Sequence, residues 1–215
     1  MTYNKLVIAT HNAGKIVELE KLFAEIPGNN IPEILSAASL GLSEPVEDGE
    51  SFEDNALIKA KYVAEKSNLP ALADDSGLVI YGLDGQPGIH SATLAEDFAT
   101  PELKRNFPAA QKYLLDALAN RGFLRLSDRG AKFVCCLCLY VPNKEPKFFR
   151  GEVYGNISLE PKGENGFGYD PIFIPLGENR TFGQMSKQEK CSFNTHRAIA
   201  TGKFIEYFES FIRCN

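Results

Sequence analysis

The stretch Ala71-Leu72-Ala73-Asp74-Asp75-Ser76-Gly77-Leu78-Val79-Ile80 most limits how this chain can fold. Two adjacent acids and a Ser-Gly interrupt an apolar run. Short apolar runs beside turn residues read as buried strands. The carboxylates therefore sit beside a core, where desolvation is costly unless they are paired, hydrogen-bonded or metal-bound. Successive strand residues point to opposite faces, so only one of Asp74 and Asp75 can face a given cleft. The same letters also suit an Asp-rich turn at the end of the strand.

At 215 residues the chain suits one large domain or two small lobes. A formal charge of −5 argues against a broad nucleic-acid or membrane footprint, though not against one basic pocket. Met1 to Lys5 lead straight into a short strand-like segment without the long apolar region of a signal peptide. Of the five cysteines, Cys135, Cys136 and Cys138 share one strand-like run, while Cys191 and Cys214 lie far away. Strand neighbours point apart, so this is neither a disulfide framework nor a zinc pattern. A cytoplasmic protein with reduced, mostly buried cysteines is expected.

Leu6-Val7-Ile8-Ala9 reads as a buried strand and Thr10-His11-Asn12-Ala13-Gly14 as a small polar loop. A helix is predicted from about Lys15, with Ile16, Leu19, Leu22, Phe23 and Ile26 on one face and Pro27-Gly28 as its stop. A tight loop before a helix leaves amide N–H groups unpaired and a dipole that favours an anion, and Lys15 adds positive charge. An ordinary strand-to-helix turn uses the same letters. P-loop spacing fails, because Ala9 stands where a glycine is needed and Ile16 where Ser or Thr is needed. Ile31 to Leu35 reads as a second strand. Residues 43–50 form an acidic loop, either solvated or a source of hard metal ligands. Ser51 opens a helix with Asp54 at its third position, close to a capping box. Phe52, Ala56, Ala60, Val63 and Ala64 give it an apolar stripe, and Lys59 at the edge can reach inward or snorkel to water.

Thr100-Pro101 reads as an N-cap with proline in the first turn, Pro108 as a break, and a helix resumes to Asn120 before Gly122. Lys132 to Val141 is apolar enough to be buried on both faces, and Lys147 to Ile157 pairs back on it after Pro142-Asn143. From Gly163 to Pro171, glycines alternate with exposed-looking aromatics ahead of a strand at Ile172-Phe173-Ile174. Such glycines let backbone approach a ligand, and an aromatic face can stack on a flat ring; a loop with a packing Phe is the plainer alternative. Ser186-Lys187-Gln188-Glu189 is a capping-box pattern. Lys190, His196 and Arg197 gather before or at the start of a last helix, whose buried side is Ile199, Phe204, Phe208 and Phe211.

A phosphate-friendly loop, carboxylates in two places, an aromatic glycine loop and a late basic cluster are together what a nucleoside triphosphate needs. The motifs behind them stand in a specific order: Ala9 to Lys15; Phe52-Glu53-Asp54-Asn55-Ala56-Leu57-Ile58-Lys59-Ala60; Leu69 to Leu78; Pro87-Gly88-Ile89-His90-Ser91-Ala92; Gly166-Phe167-Gly168-Tyr169-Asp170-Pro171; and His196-Arg197. In these the chain resembles the inosine triphosphate pyrophosphatase (HAM1-like, XTP/dITP diphosphatase) family over nearly its whole length. The resemblance implies one α/β domain over residues 1–215. Its two lobes would flank a long central mixed sheet, with the active-site cleft between them, and the protein would be a homodimer. It implies hydrolysis of noncanonical purine nucleoside triphosphates to the monophosphate and pyrophosphate, with Mg²⁺.

By the same resemblance Thr10, His11, Asn12, Ala13, Gly14 and Lys15 would hold the triphosphate. Asp75 would be general base and metal contact, with Ser76 touching substrate. Phe167, Gly168, Tyr169, Asp170, Lys190, His196 and Arg197 would bind the nucleotide. Glu47 matches the metal-binding acid and Lys59 the inward helix lysine; Lys15 and Lys59 join Asp75 as catalytic residues. Thr93 stands where relatives often carry Arg, Thr195 replaces a common Ser, and the segment from Lys190 to His196 is one residue longer. From about Leu94 to Arg129 the chain departs from the family pattern. A nucleotide-binding module without catalysis is the rival from another class. A carboxylate-pair glycosidase is a poorer one, because adjacent strand acids point apart.

Overall fold

The computed structural model describes residues 5–10 and 32–213, without the side chains of 191, 192 and 211–213. Strand β1 (Lys5–Ile8) pairs in parallel with β2 (Glu33–Ser36) on one side and with β3 (Ala71–Ile80) on the other. Strands β4 (Gly130–Tyr140), β5 (Lys147–Ile157) and β6 (Phe173–Pro175) complete a six-stranded sheet in the order β2-β1-β3-β4-β5-β6. The β5–β6 pair is antiparallel, so the sheet is mixed. Helices α1 (Phe52–Ser67), α2 (Ser91–Asp97), α3 (Phe107–Asn120), α4 (Lys187–Ser192) and α5 (His196–Arg213) complete an α/β fold.

The chain divides into two compact units. The first holds Met1–Asp75, Cys135–Arg150 and Ala200–Asn215; the second holds Ser76–Val134 and Gly151–Ile199. In the first unit, strand alternation sorts side chains into two cores. Leu6, Ile8 and Leu72 pack with Leu137, Leu139, Phe149 and the α5 residues Ala200, Phe204 and Phe208. Val7 and Ala71 pack with Val63 and Ala64 of α1. In the second unit Leu78, Ile80, Phe133, Ile157 and Phe173 pack against Ala110, Leu114 and Leu118 of α3.

Asp74-Asp75-Ser76-Gly77 is not a turn. Strand β3 runs through all four without a break. Apolar residues on both sides are buried, and a segment covered on both faces gains by staying extended. Strand β4 is buried almost continuously, as its composition predicts, and Cys135, Cys136 and Cys138 are buried outside any disulfide. The Cys191 side chain and Cys214 lie outside the described residues. So do the predicted helix from Lys15, its Pro27-Gly28 stop, and the Phe211 side chain.

Helix starts follow their local codes in three places and not in a fourth. Ser51 accepts a hydrogen bond from the Asp54 N–H at 3.1 Å, and Ser186 with Glu189 forms a complete capping box. Thr195 also caps a helix start, since its Oγ1 accepts from the Ala198 N–H at 3.3 Å. No helix begins at Thr100. That residue pairs with Leu103 in a small bridge, and Asn106 caps α3 through the Ala109 N–H. Pro108 sits in the first turn of α3 rather than breaking it, because an N–H there has no helical partner to lose. The short helix α2 has no counterpart in the sequence reading. Among the described residues no helix is long and apolar enough to cross a membrane.

Candidate active site

The first unit brings together Glu47, Lys59 and Asp75. Lys59 lies on α1, whose apolar stripe packs inward and leaves this side chain at the edge facing β3. Its Nζ donates to Asp75 Oδ1 at 3.0 Å and to Glu47 Oε2 at 2.9 Å. Its side chain is only 14% exposed, so Lys59 reaches inward and does not snorkel. Asp75 is 8% exposed, and its Oδ2 is buried without a hydrogen-bond partner among the described residues. Asp74, the next residue on β3, is half-buried.

The acidic loop reaches Lys59 because its far end is clamped. The buried Asn55 side chain on α1 accepts from the Gly49 N–H through Oδ1 at 2.9 Å. Any side chain at 49 would collide with Asp54 and Asn55, so the clamp needs glycine there. Sequence reasoning missed Asn55 as a positioning residue. A lone amide on an otherwise apolar helix stripe was the available signal.

Burial pushes the Asp75 carboxyl up to about 6. The Lys59 ammonium opposes this, while the charges of Glu47 and Asp74 add to it. For Lys59 the largest influence is burial, which lowers it, but Asp75, Glu47 and Asp74 together outweigh burial and hold it above its usual value. Lys59 is thus a cation bonded to two carboxylates with the charge of a third nearby, and Asp75 Oδ2 is left over. Such an oxygen can accept a proton from water or bind a hard cation.

The second unit brings together Phe167, Gly168, Tyr169, Asp170 and Lys190. Gly166 and Gly168 have φ of +85° and +64°, which side-chain-bearing residues rarely adopt. Between them Phe167 stands 75% exposed. Tyr169 does not; it is 3% exposed, and its hydroxyl donates to the Ser91 carbonyl at 2.8 Å. The expected alternation of exposed aromatics therefore holds for Phe167 only, and the Tyr169 side chain supports the loop from beneath. Lys190, on α4, donates to Asp170 Oδ2 at 2.8 Å, and the Phe167 N–H donates to the same oxygen at 3.2 Å. Burial raises the Asp170 carboxyl, with Lys190 pulling it back down.

His196 and Arg197 open α5. The His196 ring stacks on Phe133 at 5.0 Å. Thr10 follows β1 and Ser76 lies on β3. His11, Asn12, Ala13, Gly14 and Lys15 lie outside the described residues.

The pattern of the Ham1 family matches residues 6–207. The dITP/XTP pyrophosphatase of Agrobacterium fabrum is 47% identical over 208 residues, 94% of each chain. That of Brucella melitensis is 43% identical over 209 residues, 94% of this chain and 92% of its own. The solved HAM1 protein of Coxiella burnetii superposes with a TM-score of 0.84 at 32% identity, covering 96% of this chain and 98% of its own. The fold, the acid on β3 and the glycine-framed Phe167 thus come with a sequence match that spans nearly the whole chain, and the chain belongs to the Ham1 family.

Proposed function

We infer that this chain hydrolyses noncanonical purine nucleoside triphosphates, ITP, dITP and XTP, to the nucleoside monophosphate and pyrophosphate. The observation that carries the reading is Asp75: a buried carboxylate with Oδ1 held by Lys59 and Oδ2 left without a partner among the described residues. Relatives that share this chain's length carry the name dITP/XTP pyrophosphatase.

Two of the carboxylates present suit magnesium. Asp75 Oδ2 is a buried oxygen with no donor among the described residues, and Glu47 supplies a second carboxylate held by the same Lys59 Nζ. These two residues would hold the ion, which when bound would neutralise phosphate charge as pyrophosphate leaves. Asp75 would accept the proton of the attacking water. Lys59 keeps Oδ1 in place, so Oδ2 has one orientation. By the family resemblance Thr10 to Lys15 bind the triphosphate, and the Lys15 charge stabilises the leaving group. Phe167 stacks on the base, and donors at its edge, Arg197 among them, meet the 6-oxo acceptor of inosine and xanthosine. Adenosine carries an amino donor at that position and would leave those groups unpaired, which is how polar sites discriminate. Ser76, Asp170, Lys190 and His196 complete the nucleotide contacts, and the family's homodimer and a cytoplasmic location go with the reading.

The direct test is product analysis with ITP, dITP, XTP, ATP and GTP, with and without magnesium. Pyrophosphate released from the first three, at least tenfold faster than from ATP, is expected; orthophosphate as first product, or no turnover, would sink the reading. Lys15→Ala is expected to weaken ITP binding far more than IMP binding, because only the longer chain reaches that lysine. Calorimetric titration of both ligands checks it, and equal losses would place Lys15 elsewhere. Phe167→Ala is expected to lower efficiency for ITP, XTP and residual ATP by similar factors, since every purine has a π-face. Arg197→Ala is expected to hurt ITP and XTP by about 1–3 kcal/mol while sparing ATP, since it unpairs one acceptor. An unchanged ITP-to-ATP ratio in the Arg197 variant would instead assign that cation to the phosphates.

A further inference from the structure

We propose that Gln111 is a positioning residue for nucleotide binding: its side-chain amide holds the Gly168 carbonyl and thereby sets where Phe167 stands to receive a purine base. The proposal rests on the function inferred above and adds the helix that holds the base-stacking loop. Every residue involved belongs to the second unit.

Gln111 is 5% exposed. The other buried residues of α3 are Ala110, Leu114, Leu115 and Leu118, all apolar. An amide on such a face costs desolvation energy that a Leu or Met would not, unless it is hydrogen-bonded. Its Nε2 donates to the Gly168 carbonyl at 2.7 Å, across 57 residues of sequence. Packing alone does not account for the amide; the carbonyl does.

The carbonyl needs holding. Gly166 and Gly168 both sit at positive φ, where a glycine peptide can rotate at little cost, and they flank Phe167. Phe167 is too exposed to be fixed by its own packing. Its position is set by its neighbours. Asp170 takes the Phe167 N–H and returns its own N–H to the Phe167 carbonyl at 3.2 Å. Gln111 holds the next carbonyl along. The same helix braces the loop one residue further on, where Phe107 meets the Tyr169 ring edge-on at 5.4 Å. Tyr169 is tied in turn to Ser91, whose Oγ accepts from the Leu78 N–H and donates to the Gly88 carbonyl. With Tyr169 already locked below, the Gln111 bond settles the remaining freedom of the Gly168 peptide.

The test uses the absence of tryptophan from this chain. Phe167→Trp places a single tryptophan, excited selectively at its red edge, on the loop. Without nucleotide, Gln111→Met in that background is expected to lower the emission anisotropy, since Met keeps the volume and loses the donor. In the native-Phe167 background, Gln111→Met is expected to raise the KM for ITP and the Kd for IMP about five- to tenfold, the scale of one lost hydrogen bond. Inhibition by inorganic pyrophosphate, which never touches the base loop, should not move. Gln111→Glu at neutral pH offers an acceptor where a donor is needed and should loosen the loop as well, so the test survives if the Met variant fails to fold. Unchanged anisotropy in a folded variant would overturn the proposal, and so would a matched loss of ITP and pyrophosphate affinity, which marks a general scaffold defect. If the native chain releases no pyrophosphate from ITP, the inferred function falls; a fall in anisotropy in the Gln111 variants would still tie this residue to the loop.

Discussion

Replacing Asp75 by Asn is expected to leave the fold intact and reduce pyrophosphate release from ITP by about 10²–10⁴-fold, the usual worth of a positioned base. Asparagine keeps the shape and the Oδ1 contact to Lys59 but cannot take a proton from water. The same change should make the metal-free protein more stable at neutral and higher pH. Burial holds the Asp75 carboxyl at about 6, above its ordinary 3.8, so the folded chain binds this proton more tightly than the unfolded chain does. Below the ordinary value both states are protonated and nothing is lost. As pH rises through about 6 the folded state must ionise a buried group, at a cost on the order of 2–3 kcal/mol. The neutral amide of the Asp75→Asn variant carries no such cost. The melting temperature of the metal-free variant should therefore exceed the native value at pH 8, and the two should converge toward pH 4. Near-native turnover in the variant would exclude Asp75 as the base. A lower melting temperature at pH 8 would mean that Lys59 depends on Asp75 more than burial opposes it.

Gly166→Ala is expected to raise the KM for ITP on the order of 10²-fold. At φ +85° an alanine is strained by about 1–2 kcal/mol. The larger effect is steric, because its Cβ would occupy the space of the Asp170 carboxylate and the Lys190 ammonium. Both side chains are only 15% exposed, and separating such a pair leaves charges without solvent or partner, a loss of up to about 3–5 kcal/mol. Asp170 also accepts from the Phe167 N–H, so the base-stacking loop moves with it. Gly168→Ala is the matched control. It also has positive φ, but its Cβ would meet Phe107 at an ordinary 3.7 Å, leaving backbone strain alone. Steady-state kinetics and thermal melts of the two variants check the ranking. Equal, small effects would show that the Asp170–Lys190 pair does not shape the loop.

Some of this was legible in the sequence and some was not. Caps at Ser51 and Ser186 were readable because both partners lie within one helical turn. The mistaken helix start at Thr100 came from the same local rule. Thr-Pro satisfies the cap pattern, but so does Asn106 with Pro108 behind it, and α3, which buries Leu114 and Leu118, starts from the later cap. Local codes name candidates, and packing chooses between them. The reading of Tyr169 failed for the same reason. Alternation with glycine says nothing of which aromatic finds a buried partner, and Ser91 lies 78 residues away.

By itself the sequence determined that two acids interrupt an apolar run, that their side chains point apart if the run is a strand, and that a glycine-framed Phe precedes a basic helix start. Those properties follow from strand periodicity and glycine's freedom, which act over a few residues. Only the tertiary structure decided that Asp75 and not Asp74 meets Lys59. It alone showed that Lys59 turns inward to a second carboxylate on the acidic loop, and that Gln111 holds Gly168. These contacts join residues 16, 12 and 57 positions apart. A polar side chain is placed by whichever buried partner makes its desolvation tolerable. That partner is known only once the chain has folded.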